Sequence, residues 1–340
     1  MKSLLRVRHY LPLVGEPSGC EERELRSNPR SLKNGLLRCA RNEVNSWLRA
    51  ARPRTVLLSL SGVLMGGFLA AATGFFYPVT VAFASLTAIL LQILSNLAND
   101  YGDFKKGLDN PDRLGPQRVM QSGALSEKQM RSGIVAVGIL TSLSGAVLLV
   151  LAWSYISWKE LVVFAILGLA AIAAALCYTL GKRPYGYRGL GDLFCFLFFG
   201  WVAVAGTFYL AAGRFDPLVM LPATAMGFLS VAVLNINNMR EYGHDKANGK
   251  NTLVVKLGLR KAFVYHVVLI VGSFVCLTVF LWLQRAHWYA YAFWLLSPLF
   301  LMDLLTINKL FESGHLDRML PKQVVKTFLL TLVFGLMLLL

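Results

Sequence analysis

Apolar runs of about 20 residues, long enough to cross a bilayer, recur along the chain and alternate with short polar, basic segments. The pattern predicts nine membrane-spanning helices at roughly 55–74, 78–98, 133–152, 160–180, 190–212, 216–236, 262–283, 287–307 and 324–340. Each run is too long for a barrel strand, so the expected fold class is all-α: a polytopic membrane protein. Ahead of the first span, Trp47 to Thr55 (WLRAARPRT) reads as an interfacial lead-in. It sets Trp and Arg at headgroup level and Pro53 near the helix start. Gly62 and Gly66 form a GxxxG spacing, expected to pack one helix against another.

Composition agrees with this picture: 56% of the 340 residues are hydrophobic and 15% charged, far fewer charges than a soluble chain carries. The formal charge of +16 would suit nucleic acid, but its distribution excludes that reading. All of the 34 Lys and Arg residues but Lys159, Arg214 and Arg285 fall before residue 55 or in the loops that follow even-numbered spans and at their margins. The positive-inside rule makes that face, with the N-terminus, cytoplasmic. Residues 1–45 form a basic extension, expected to be disordered or a surface helix; it lacks the apolar stretch of a secretory signal. Residues 46–340 form one transmembrane domain. The five cysteines are too scattered for a metal or redox pair and read as reduced packing residues.

Candidate chemistry gathers after the second and sixth spans. In NLANDYGDFKKGLDNPDRLGPQRVMQ (96–121), Asn96, Asn99, Asp100 and Asp103 share one face of a helix. Oxygen-bearing side chains at a membrane edge are costly unless they bind something, and Mg²⁺ takes oxygen ligands that it shares with phosphate. In NINNMREYGHDKANGKNTL (235–253), Asn235, Asn238, Glu241 and Asp245 again lie near one face, and the Asn-x-x-Asn spacing repeats four spans later. The repetition suggests a weak internal duplication, which could set the two clusters facing each other across a central cavity. Facing carboxylates repel without cations between them; divalent metal bridging to a diphosphate resolves that, with basic neighbours on the remaining phosphate oxygens. The loop GKRPYGYRGLGD (181–192) offers Lys182, Arg183 and Arg188 as phosphate donors and Tyr185 and Tyr187 to position a substrate or close a lid.

Three motifs, NxxNDYxDxxKGxDxPDRxGP at 96–116, KRPYGYxGLGD at 182–192 and NNxR…D…GKNTLVVxLG at 237–258, with RAARPRTV at 49–56, resemble the UbiA-type intramembrane aromatic prenyltransferases. The nearest likeness is to the subgroup acting on 1,4-dihydroxy-2-naphthoate in menaquinone synthesis. The resemblance implies nine helices around a cavity, a polyprenyl diphosphate donor held through Mg²⁺, and a naphthoate acceptor that loses CO₂. It also implies a bacterial plasma membrane location with the site loops cytoplasmic. Carried onto this chain, it implies Asn96, Asp100, Asp103, Asp109, Asn238, Glu241 and Asp245 as metal ligands and Lys106, Arg183, Arg188, Arg240 and Lys250 on the diphosphate. Asp100, Asp103, Asp245 and Tyr185 are the expected catalytic residues. Two departures stand out: Glu241 occupies a position where the superfamily usually has Asp, and Asp100 and Asp103 are spaced by three, as suits the naphthoate subgroup. Rival readings are transfer to another ring, such as 4-hydroxybenzoate or homogentisate, and secondary transport; acids at helix ends on one face, rather than at mid-membrane, favour the enzyme.

Overall fold

A computed structural model describes residues 42–74, 76–108, 117–313 and 315–340. Among these, nine helices are long and apolar enough to span a membrane. They are α1 (Pro53–Ala72), α2 (Pro78–Lys105), α3 (Glu127–Ala152), α4 (Trp158–Cys177), α5 (Gly191–Ala212), α6 (Pro217–Arg240), α7 (Leu259–Leu283), α8 (Trp288–Leu310) and α9 (Met319–Leu338). Residues 1–41 of the expected basic extension (1–45) lie outside the described residues; its last four residues belong to a helix over 42–51. There Trp47 lies against α3 at Gly133, where an added Cβ would come within 2.5 Å of the indole.

Polar signals set the helix starts. Ser126 and Gln129 form a capping box, each side chain accepting from the other's backbone N–H at 3.3 and 2.9 Å. Helix α3 therefore begins six residues before its apolar run does, satisfying amides that a helix start leaves open. Ser157 and Glu160 do the same for α4. Helices α2 and α6 run beyond their apolar stretches, to Lys105 and Arg240, so the acid-bearing turns belong to the helices.

Helix α6 forms the centre, with 61% of its most apolar stretch buried, against 11% for α4 and 17% for α3. The peripheral pair therefore serves as wall. Close backbone approach seats α1 and α6 on α5. A Cβ at Gly66 would lie 2.4 Å from the Val204 carbonyl oxygen, one at Gly62 2.7 Å from that of Phe199, and one at Gly200 2.6 Å from that of Ala223. The GxxxG pair thus packs helices, as small residues do where no hydrophobic force separates lipid from protein. In α5 the segment Phe196–Gly206 is π-helical, a form that concentrates at functional sites, and Phe198, Phe199 and Val202 in it face the cavity.

That cavity, about 1300 Å³, runs between α1–α6. Small residues on α3 and α4, including Gly145, Ala146, Gly168 and Ala171, keep it open.

Candidate active site

The polar mouth of the cavity lies where α2 and α6 end, and both acidic segments reach it: Asp100, Asp103, Glu241 and Lys250 all line it. On α2 the i, i+4, i+7 spacing stacks Asn96, Asp100 and Asp103, each at least 96% buried. The helix can approach the end of α4 because residue 102 is glycine; a Cβ there would meet Thr179 Oγ1 at 2.6 Å. Thr179 Oγ1 donates to the Ala98 carbonyl at 3.0 Å, fixing that approach. After α6, Glu241 ends the helix and a short helix, Tyr242–Ala247, turns Asp245 inward, where it is 2% exposed. The Lys250 amide donates to the Asp245 carbonyl, and the Asn251 amide to the Tyr187 carbonyl at 3.0 Å. The third loop is thereby tied to the second acidic segment.

Lys250 links the two halves. Burial lowers its pKa, but Asp103, then Asp245 and Glu241, outweigh that and raise it above the usual lysine value. Its Nζ is 3.4 Å from Asp245 Oδ1. Asp245 itself is pushed up to about 7, by burial first and by the neighbouring Glu241, against the opposing pull of Lys250. Its Oδ2 is buried and accepts no hydrogen bond from the described residues.

The first acid pair is met by cations that come from elsewhere in the chain. Arg118 Nη1 donates to Asp103 Oδ2 at 2.6 Å and its Nε lies 3.5 Å from Asp100 Oδ1. Arg52 donates to Asp100, and the Tyr187 hydroxyl donates to Asp103 Oδ1. Two ammonium groups lie by the Tyr187 ring, Lys106 at 4.2 Å and Lys250 at 5.5 Å from its centre. Burial and the adjacent Asp103 push the Tyr187 phenol well up, so it stays a donor. Arg240 bonds Asn237 and Glu241, both at 2.8 Å.

Several expected assignments change. Asn96 does not itself line the cavity: its amide nitrogen donates to the Ala51 carbonyl at 2.8 Å and to Thr55, while its oxygen accepts from Gln92. It braces α2 against the start of α1. Asn235 does the same on α6, donating to the Ala262 carbonyl at 3.0 Å, so the sequence repeat is a repeat of helix bracing. Asn238 is buried off the cavity, and Asn237 lines it instead. Arg183 and Arg188 are exposed and do not line the cavity. Tyr185 lines the apolar wall rather than the acids: its hydroxyl donates to the Ala174 carbonyl at 2.8 Å and its ring stacks on Phe194 at 4.2 Å. Lys106 donates to the Thr179 carbonyl at 2.9 Å. Asp109 lies outside the described residues. Sequence reasoning left Arg52 and Arg118 out of the site, although Arg52 precedes Pro53 in the lead-in motif and Arg118 follows the first acidic run. It also left out Asp317 and Arg318, from the α8–α9 loop, which line the mouth. Asp303 pairs with Lys326 of α9.

No three His, Cys, Asp or Glu side chains among the described residues converge as a ready-made metal site. The donor set nonetheless suits Mg²⁺, which keeps water and shares one or two carboxylates with substrate phosphates. Asp100, Asp103 and Glu241 line the mouth and can offer hard oxygens; Asp245 does not line it, but it lies 3.4 Å from the Lys250 ammonium, which does, and its Oδ2 has no partner among the described residues. Arg52, Arg118, Arg240 and Lys250 can offer phosphate donors.

Comparison with known proteins gives the chain's family and fold. The model of the UbiA prenyltransferase family matches residues 59–314. The 1,4-dihydroxy-2-naphthoate octaprenyltransferase of Escherichia coli (strain K12) is 42% identical over 293 residues, 86% of this chain and 94% of that relative. The same-named protein of Haemophilus influenzae is 40% identical over 297 residues, 86% of this chain and 96% of its own. Among solved structures, a UbiA homolog from Archaeoglobus fulgidus bound to DMAPP and Mg²⁺ matches with a TM-score of 0.58 at 17% identity, over 86% of this chain and 99% of that one.

Proposed function

Taking as premise that the chain belongs to the UbiA prenyltransferase family, we propose that it transfers a polyprenyl group from polyprenyl diphosphate to 1,4-dihydroxy-2-naphthoate. The observation behind this reading is the position of Lys250 at the mouth of one apolar cavity: its Nζ lies 3.4 Å from Asp245 Oδ1 of one acidic segment and 5.5 Å from the centre of the Tyr187 ring, whose hydroxyl donates to Asp103 of the other. Two relatives that cover nearly their whole length with this chain are named for that acceptor.

The donor's diphosphate takes the mouth, where Arg52, Arg118, Arg240 and Lys250 pair with its oxygens. Asp100, Asp103, Glu241 and Asp245 would hold Mg²⁺, which would supply charge neutralisation of the leaving group. The isoprenoid tail follows the apolar channel past Gly145 and Gly168. As the allylic C1–O bond breaks, its electron pair leaves with pyrophosphate, and the cations stabilise that charge. The electron-rich naphthalene attacks the allylic carbon at its carboxylate-bearing position. Loss of CO₂ returns the C–C electron pair to the ring, so no side chain has to remove a ring proton. The walls of Tyr178, Tyr185, Phe194 and Phe198 exclude water from the allylic carbon. The protein acts in a bacterial inner membrane, with its N-terminus and the site loops cytoplasmic, as the charge distribution supports.

The test is an assay in membranes with 1,4-dihydroxy-2-naphthoate and a polyprenyl diphosphate, with and without Mg²⁺. Product mass and released CO₂ should match decarboxylative prenylation, and only with Mg²⁺. Product from 4-hydroxybenzoate or homogentisate but none from the naphthoate would overturn the acceptor assignment.

A further inference from the structure

Both carboxylates of the first acidic motif already have partners. Arg118, itself 8% exposed, holds Asp103 Oδ2 at 2.6 Å and reaches Asp100 Oδ1 at 3.5 Å. Arg52 holds the same oxygen of Asp100, and it does so from a strained position. Its φ is 51°, a left-handed conformation that an arginine adopts at a cost. A divalent cation that ligates Asp103 through Oδ2 has to compete with the Arg118 guanidinium for that oxygen. A guanidinium released from a carboxylate in a buried site needs another anion, because an unpaired buried charge is expensive. Arg52 and Arg118 both line the cavity mouth, where an incoming diphosphate offers the fork geometry that suits arginine.

We infer that Arg118, with Arg52, exchanges carboxylate for phosphate as substrate arrives, so that divalent metal and diphosphate bind the mouth cooperatively and each binds weakly alone. The arginines are thus positioning residues for the acids as well as diphosphate ligands. No covalent step is involved. The inference rests on the proposed diphosphate site and concerns how that site loads.

The test uses the full-length protein in detergent, without acceptor, and measures Mn²⁺ affinity by calorimetry or by its electron paramagnetic resonance signal, with and without inorganic pyrophosphate. In the unaltered protein pyrophosphate tightens Mn²⁺ binding by a factor on the order of ten or more, beyond what the soluble Mn²⁺–pyrophosphate complex accounts for. In Arg118→Gln, Mn²⁺ alone binds more tightly than to the unaltered protein and the coupling factor falls several-fold. Arg118→Lys keeps the positive charge and retains more of the coupling than Gln does, which separates exchange from misfolding. An equal coupling factor in the unaltered protein and in Arg118→Gln overturns the exchange while leaving the diphosphate site standing. Failure of pyrophosphate to bind the unaltered protein at all overturns the site itself, and the exchange with it.

Discussion

Replacing Lys250 with Met removes one charge from the junction of the two acidic segments and keeps an unbranched stem of similar reach. The side chain is 8% exposed and its Nζ lies 3.4 Å from Asp245 Oδ1, which at an effective dielectric of about 20 is a gross attraction of about 5 kcal/mol. Burial of both groups offsets part of it, and losing one partner of a buried pair costs about 3–5 kcal/mol in comparable sites. Asp245 limits that cost here, since its pKa is already pushed up to about 7. Without Lys250 it takes up a proton and sheds its charge. The loss of stability should therefore be larger at about pH 8 than at about pH 6. Catalysis gains no such relief, because Lys250 is one of the cations of the proposed diphosphate site. kcat/KM for the prenyl diphosphate should fall by about 10²-fold or more, as when one preorganised donor to a developing charge is removed. Thermal unfolding in detergent at the two pH values, together with initial rates against donor concentration, reads both effects. A Lys250→Met protein with unchanged kcat/KM would refute the claim that Lys250 serves both halves of the site.

Asp245 carries a second prediction. A carboxyl whose folded pKa is raised contributes stability that is present below its unfolded pKa and lost as pH rises through the folded value of about 7; Mg²⁺ held at the proposed site would offset the carboxylate's charge above it. Mg²⁺ should thus raise the melting temperature more at about pH 8 than at about pH 6, and Asp245→Asn should erase the difference; an equal shift at both pH values would count against Asp245 as a ligand. Tyr187→Phe should lower kcat/KM more than Tyr185→Phe, because the first loses a bond to Asp103 and the second a bond to a backbone carbonyl; the reverse order, read from rates, would return the catalytic role to Tyr185. Gly66→Ala places a methyl 2.4 Å from the Val204 carbonyl oxygen and should destabilise by about 1–3 kcal/mol through overpacking, seen as a lower melting temperature in detergent.

The spans were legible because a bilayer demands long apolar runs whatever the fold. Their ends were less so, since hydropathy marks where the membrane stops and not where the helix does: α2 continues through Asp100 and Asp103 to Lys105. The acids were legible from spacing on one helical face. Their partners were not, because Arg52 and Arg118 reach Asp100 from 48 and 18 positions away, and only the folded chain brings them together. Tyr185 and Tyr187 sit two residues apart on a short 3₁₀ turn, where no long periodicity fixes which ring faces the acids. Asn237 and Asn238 differ by one step of α6, about 100° of rotation, enough to exchange cavity for core.

In the proposed site both acidic segments grip one pyrophosphate at the same mouth. Calorimetric titration of the purified protein with pyrophosphate in the presence of Mn²⁺ tests it most directly, using Asp100→Asn and Asp245→Asn as the two probes. One pyrophosphate should bind per chain, and each substitution alone should weaken it by at least about tenfold. Unchanged affinity in either variant would mean that the two segments do not share a ligand.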